Sequence, residues 1–525
     1  MALEPFPLSP LQTILSLLLI LTLLKTTQLT LQHRRRRLFA QKNGCYPPPS
    51  YPDSFPYLGL PRLSASSLAR KNNASLPFIH SQYHQLQTHT FSFTLPTLDR
   101  IIATAEPQNA KAIFNTQFAD FATGGRLALL GPLIGKGIFT ADGEDWKHSR
   151  AMIRPNFVRK QVADVEGVEE HLKDMFELLP RDGTTVDLQP LFFGLTLDTA
   201  TEFLFGTSVR SLRGEEEGRL EGTAFVKAYD AGLVQCGMRA TPSLWKKMFP
   251  QSSEDKRNCK LVREFVQPYV DQALEWRRDG KGEKEAPGGK YTFLYELAKE
   301  TGDAERMRDE VLNLLLAGRD TTASLLGSMF FHLAKRPDVW GRLREEVGRV
   351  EGRKPSFEEL KDMKVLQWCM KETLRVNTVV PVVMRCATKD TTLPVGGGKD
   401  GKSPIFVHKG QVVFTHFGTM HLREDIWGPD AATWNPDRWA TARPGAWDYL
   451  PFSGGPRVCV GQQYALTEAG YVTARMVQTF PKLACEFARY TPHPDNNNAS
   501  IFLHNFQILS LTLDVNSYLF APLTH

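Results

Sequence analysis

The ten-residue stretch Phe452–Gly461, Phe-Ser-Gly-Gly-Pro-Arg-Val-Cys-Val-Gly, constrains this chain more than any other feature. Cys459 stands two residues after Arg457, between glycines, just ahead of a helical pattern running from Gln462 towards Phe480. Gly455 and Gly461 let the backbone turn tightly and approach a flat ligand closely. A helix N-terminus favours negative charge, so a thiolate at Cys459 is favoured there. A lone cysteine beside glycines also reads as a buried structural residue. A thiolate in such a turn would also serve an iron porphyrin as its proximal ligand.

With 525 residues and 42% hydrophobic composition the chain can bury a large core. Its seven cysteines, Cys45, Cys236, Cys259, Cys369, Cys386, Cys459 and Cys485, are scattered and include no C-x-x-C pair. That pattern argues against a disulfide framework and a zinc site, and places the catalytic part in a reducing compartment. The net charge is +6, with one basic run at Arg34–Arg37. Lying next to an apolar segment, that run points to a membrane surface and away from nucleic acid.

The apolar segment runs from Leu11 to Leu24 and, with Thr26 to Leu31, approaches membrane-spanning length; Lys25 can snorkel to the headgroups. A cleaved signal peptide has a similar core, but residues 1–10 hold Glu4 and no Lys or Arg, and no A-x-A-like site follows. Positive charge stays on the cytoplasmic side. The reading is therefore an uncleaved single-pass transmembrane anchor over residues 1–33 with a cytosolic catalytic domain. Residues 34–54 form a basic, proline-rich linker stiffened by Pro47–Pro49, and residues 55–525 a single catalytic domain. The sequons at Asn73 and Asn498 would then never meet the lumen.

Helical patterns dominate from about residue 105 to 378, broken by polar loops at Arg213–Gly222 and Asp279–Lys290. Ser356-x-x-Glu359 is a capping box. Beyond Pro381, Ile405–Phe414 reads as a hairpin turning at Lys409–Gly410, and Gly396–Gly398 marks another turn. The expected class is mostly α with a smaller β part.

Arg308 to Lys335 reads as a long helix with a seam at Val311, Leu315, Gly318, Thr322, Leu325 and Met329. Ala317-Gly-Arg-Asp-Thr-Thr322 interrupts it. A mid-helix glycine costs roughly 1 kcal/mol relative to alanine, and threonine hydroxyls compete for backbone carbonyls. A distorted groove beside a ligand accounts for such a loss; so does a polar patch in a core helix. Glu372 and Arg375 lie three apart on one helix face, and Trp146 and Arg150 four apart.

Taken in order, Trp146-x-x-x-Arg150, Ala317–Thr322, Glu372-Thr-Leu-Arg375 and Phe452–Gly461 resemble the motif series of the cytochrome P450 family. The last run matches its haem signature at every fixed position. The resemblance implies the cytochrome P450 fold behind an N-terminal transmembrane helix, haem b as cofactor, and Cys459 as axial iron ligand. It implies Trp146, Arg150, Arg385, Phe452 and Arg457 around the haem. It gives Thr321 a hydrogen bond to dioxygen and Asp320 a part in relaying protons. Glu372, Arg375 and Arg438, the last within Asn435-Pro-Asp-Arg-Trp439, would form a structural network. Val376-Asn-Thr-Val-Val-Pro381 departs from the family's usual aromatic-proline continuation after the Glu-x-x-Arg helix.

Gly143–Phe157, Ala317–Ala323 and Gly454–Gln463 are most similar to the fungal alkane and fatty-acid hydroxylase branch. The implied activity is insertion of one oxygen atom from O2 into a C–H bond of an apolar substrate, at the terminal carbon of a fatty acid or alkane. Oxidation of a polyketide or terpenoid in fungal secondary metabolism is the alternative. No flavin or nicotinamide fingerprint is present, so electrons would come from NADPH-cytochrome P450 reductase at the endoplasmic reticulum membrane. Lys147, Arg154, Arg159 and Lys160 would offer it a positive face. Leu314, Leu315, Ala317, Val379, Val380, Val382 and Val383 would hold an apolar substrate. A haem-thiolate isomerase or peroxygenase would use the same cysteine loop, but Asp320 and Thr321 speak for oxygen activation. They speak equally against a non-catalytic haem-binding scaffold.

Overall fold

The computed structural model describes residues 9–52, 59–72, 74–95, 100–157, 163–217, 220–239, 251–281, 291–485 and 510–514. The helices that bear on function are α1 (Pro10–Lys42), α2 (Arg126–Ile134), α3 (Gly143–Ile153), α4 (Leu188–Phe205), α5 (Leu220–Arg239), α6 (Ser253–Trp276), α7 (Ala304–Ala334), α8 (Lys364–Val376) and α9 (Gln462–Thr479). The strands are β1 (Thr90–Thr94), β2 (Arg100–Thr104), β3 (Phe121–Ala122), β4 (Asp182–Asp187), β5 (Val382–Ala387), β6 (Thr391–Gly397), β7 (Ser403–Val407), β8 (Val412–His416), β9 (Lys482–Cys485) and β10 (Ser510–Asp514).

α7 is the axis of the molecule. Asp303 caps it, its side chain accepting from the Arg306 N–H at 3.1 Å. α4, α6, α8 and α9 all pack on α7, α4 most extensively. Its N-terminal half puts Val311, Leu312 and Leu315 into one apolar core with α6. Its C-terminal half puts Leu325, Met329 and Phe330 into another with α8 and α9. From Asp309 to Phe330 every residue is buried except Ala317, Gly318 and Thr321, which lie where the two cores meet. The helix runs unbroken through Ala317–Thr322, so the expected interruption is absent: the threonine hydroxyl adds a bond to the ladder without opening it.

β1, β2, β8, β5 and β3 form a five-stranded sheet in that order, over a third core that includes Phe91, Phe93, Phe114 and Phe417. β6 and β7 form their own two-stranded hairpin, and β4, β10 and β9 a third sheet. This corrects the hairpin expected over Ile405–Phe414. The chain does turn there, with Gly410 at φ 85°, but β7 pairs with β6 while β8 pairs with β5 and β2. Local alternation gave the two strands and the turn; partner choice was made by distant segments. The capping box forms as expected at Ser356 and Glu359. α8 ends at Val376, where the Asn377 N–H still reaches the Thr373 carbonyl at 2.8 Å.

α1 is long and apolar enough to cross a membrane. It continues through Arg34–Arg37 to Lys42, so residue 33 falls inside one helix. Its end is held to the domain: Phe39 meets Phe406 at 5.6 Å, Arg36 lies 3.8 Å from Asp390, and the Tyr46 N–H donates to the Pro404 carbonyl at 2.9 Å. The Ser92 N–H takes the Pro49 carbonyl at 2.8 Å. The proline segment is thus clamped against the sheet. Asn73, Arg159, Lys160, Asn498 and residues 282–290 lie outside the described residues.

Candidate active site around Cys459

The Cys459 loop is closed by its own backbone. The Cys459 N–H donates to the Phe452 carbonyl, and Val458 N–H to that of Gly455, both at 3.1 Å. Gly455 sits at φ 67°, and a Cβ there would stand 1.8 Å from the Phe114 carbonyl oxygen. Only glycine fits. Gly461 is different: as N-cap of α9 it has φ −90°, and a Cβ would meet Phe157 at an ordinary 3.6 Å. The tight turn expected of both glycines belongs to Gly455 alone. Phe452 is half-buried against the core shared by α8 and α9.

Cys459 is exposed, although protein surrounds its thiol. Burial raises its pKa, and the Gly461 N–H and Arg150 oppose that without overcoming it. The helix terminus therefore does not by itself make the thiolate. A metal cation on the sulfur would, since a coordinating thiol is deprotonated outright.

Arg126, Arg150, Arg385 and Arg457 form one cluster of interacting charges beside the Cys459 loop. Arg385, on β5, is held well below its ordinary pKa by burial and then by Arg126 and Arg457. Burial likewise pushes Arg457 down to about 10, with Arg126 and Arg150 adding to the effect. Asp142 is the carboxylate that opposes them: it accepts from Arg457 at 2.7 Å and from the Thr123 hydroxyl at 2.6 Å. Arg457 also donates to the Ala141 carbonyl at 2.7 Å, and lies 4.5 Å over the buried Trp146 ring. Arg150 donates to the Val458 carbonyl at 3.0 Å. Arg126 and Asp142 were missed in the sequence. The available signal was an arginine at the first position of α2, where the helix dipole disfavours a cation.

On α7 the Thr321 hydroxyl donates to the Ala317 carbonyl at 2.6 Å. Gly318 admits α4 closely, since a Cβ there would lie 3.4 Å from that of Ala200. The Thr196 hydroxyl of α4 donates to the Arg319 carbonyl at 2.8 Å. Asp320 is buried, and burial raises its pKa to about 6 although Arg319 opposes this. Glu468 of α9 is buried too and raised to about 7 by burial, with Thr199 donating to it at 2.5 Å and Thr322 as a second hydrogen-bond partner. Nothing in the linear sequence joins Glu468 to this turn.

Glu372 and Arg375 on α8 form a two-point ion pair at 2.7 and 3.0 Å, both side chains fully buried. Arg375 also donates to the carbonyls of His421, Ala431 and Thr433. Glu372 accepts from the Asn435 N–H at 2.9 Å, Trp439 Nε1 at 3.0 Å and Arg438 Nε at 3.4 Å. Arg438 is bound more closely to Asp430, at 2.7 Å. Of the apolar residues expected to line the site, Leu314, Leu315, Val379 and Val383 are spent in the cores. Ala317, Val380 and Val382 remain half-exposed.

An accessible cysteine thiol in a glycine-flanked turn, and four arginines set against one carboxylate, suit an anionic, metal-bearing planar group with two carboxylate arms. Fold and site together define a haem-thiolate oxidoreductase. The family model described as Cytochrome P450 matches residues 51–506. The chain is 41% identical to cytochrome P450 52A3-B of Candida maltosa, covering 89% of this chain and 93% of that protein. It is likewise 41% identical to cytochrome P450 monooxygenase himC of Aspergillus japonicus, over 86% and 82%. The crystal structure of the cytochrome P450DA heme domain superposes with TM-score 0.69 at 21% identity, covering 90% of this chain and 96% of that one, and shares the fold. The chain belongs to the cytochrome P450 family. It is a monooxygenase whose cofactor is haem b.

Proposed function

We propose that this protein hydroxylates the terminal carbon of fatty acids or alkanes, and that the Cys459 thiolate would bind the haem iron. The carrying observation is an accessible thiol in the Cys459 loop together with one accessible turn, Ala317, Gly318 and Thr321, in the stretch Asp309–Phe330 of α7 that is otherwise buried. Haem b, when bound, supplies the oxygen chemistry, and a thiolate ligand favours O–O cleavage.

The chain's residues do the rest. Arg385 and Arg126 are set to meet the propionates, while Arg150 and Arg457 fix the loop that presents Cys459. Thr321 offers a hydroxyl at the accessible turn, and the carboxyl of Asp320 beside it, its pKa raised to about 6 by burial, can take up and release a proton close to neutral pH. Ala317, Val380 and Val382 offer only apolar surface, so a hydrocarbon end is held by desolvation at about 0.8 kcal/mol per buried methylene. A terminal C–H bond is stronger than its neighbours, so the pocket must select it by restricting access. α1 would anchor the protein in the endoplasmic reticulum membrane, with the domain in the cytosol. NADPH-cytochrome P450 reductase would dock on the face that carries Lys147 and Arg154.

The test is spectral. The reduced, carbon-monoxide-bound protein should show the red-shifted Soret band of a thiolate haem, lost in Cys459→Ala. Long-chain fatty acids and alkanes should shift the haem spectrum, and Val380→Ala should move hydroxylation inward along the chain. Turnover of a bulky polyketide or terpenoid, with no binding of linear chains, would replace the substrate reading with the biosynthetic one.

A further inference from the structure

Arg319 of α7 is buried and faces two carboxylates. Its Nη1 lies 2.5 Å from Asp230 Oδ1 on α5 and 3.4 Å from Asp320 Oδ1 on its own helix. The guanidinium lies between the rings of Phe193 and Tyr229, at 5.2 and 5.8 Å. Asp320 Oδ2 is buried and has no hydrogen-bond partner among the described residues. One cation is therefore shared unequally: Asp230 has the short bond and Asp320 the long one.

The two carboxylates stand on elements of different attachment. α5 packs mainly on α6 and α2, with α7 a minor neighbour, and the Arg319–Asp230 pair ties α5 to α7 beside the apolar core the two helices share. We propose that Arg319 is a latch: seating α5 draws it onto Asp230 and away from Asp320, leaving Asp320 able to carry a transferable proton. With α5 displaced, Arg319 would lose Asp230 and close on Asp320, fixing it as a paired carboxylate. Proton delivery would thus be confined to the closed state. This rests on Asp320 being the proton carrier proposed above.

The groups facing Asp320 are few. From α5 they are Asp230 and Tyr229, and from its own helix Arg319. α4 contributes Phe193 and Thr196, which carry no charge, and α9 contributes Glu468, which bonds to Thr322. Asp230 raises the Asp320 pKa and Arg319 lowers it, so removing each should act in opposite directions.

The experiment uses the haem-loaded full chain with a long-chain fatty acid as probe. The carboxylic acid band of Asp320 is followed by infrared difference spectroscopy against pH and assigned by its loss in Asp320→Asn. In the wild type its midpoint should fall at about 6. Asp230→Asn should lower the midpoint towards about 4, the ordinary carboxylate value. The same variant should raise the share of NADPH electrons lost as peroxide and speed amide exchange in residues 225–236. Arg319→Gln should raise the midpoint, and it carries the test if the first variant does not fold. Asp230→Glu should restore wild-type behaviour. Unchanged coupling in Asp320→Asn would remove the relay reading itself. Uncoupling there, with the midpoint unmoved in Asp230→Asn and Arg319→Gln, would overturn the latch and leave the relay standing.

Discussion

Arg150 donates its Nη1–H to the carbonyl of Val458 at 3.0 Å, a bond between residues 308 apart that fastens α3 to the backbone next to Cys459. The expected role of Arg150 was to meet a haem carboxylate; its bond here is to the loop itself. A hydrogen bond from a charged donor is worth about 1.5–3 kcal/mol. Arg150→Met should therefore loosen the loop and lower haem retention on gel filtration, more than Arg150→Lys. Equal retention in both variants and the wild type would show that the bond does not hold the loop.

Thr321→Ala should retain haem, because the hydroxyl bonds within α7 to Ala317 and to no part of the Cys459 loop. Product per NADPH should drop by about 10²-fold or more, the lower end of the range for a positioned proton-transfer group. Peroxide should rise in proportion. Product formation and peroxide release unchanged from wild type would remove Thr321 from the mechanism.

Breaking the Glu372–Arg375 pair should cost about 3–5 kcal/mol, since either partner would be left as an uncompensated buried charge. Glu372→Ala should then give little haem-loaded protein. The pair Arg342–Asp437, with side chains 35% and 47% exposed, provides the contrast. Its removal should cost less than about 1 kcal/mol, measured as thermal midpoint.

Glu468 links stability to pH. Its folded pKa is raised to about 7 by burial, so the folded protein holds a proton that the unfolded chain, titrating near about 4.3, releases. This contribution is fully present below the unfolded pKa and is lost as pH rises through about 7. Thermal midpoints taken from pH 4.5 to 8 should fall in the wild type and fall less in Glu468→Gln. Parallel profiles for the two proteins would place the proton elsewhere.

Removing residues 1–33 should free the protein from membranes while leaving Arg36, Phe39 and Tyr46 on the β6–β7 hairpin. Haem loading should be unchanged. Extending the cut through residue 48 removes those contacts and should lower the thermal midpoint. If both truncations melt together, the docking of α1 contributes nothing.

The sequence by itself determined the features that depend on near neighbours. The spacing of Phe452, Gly455, Arg457 and Cys459 specified the ligand loop, because a tight turn is fixed by the residues within it. The period of α7, the Ser356 capping box and the Glu372–Arg375 spacing were legible for the same reason. Tertiary structure decided what depends on partners far along the chain. β7 and β8 went to different sheets, although the turn between them was visible. Arg150 and Arg457 took backbone carbonyls as partners, and Arg126 and Asp142 joined the arginine group. The pKa of Asp320 and of Glu468 is set by burial, which no spacing rule records. Desolvation and long-range hydrogen bonding arise only when distant segments close on one another, and they give the motif residues their chemistry.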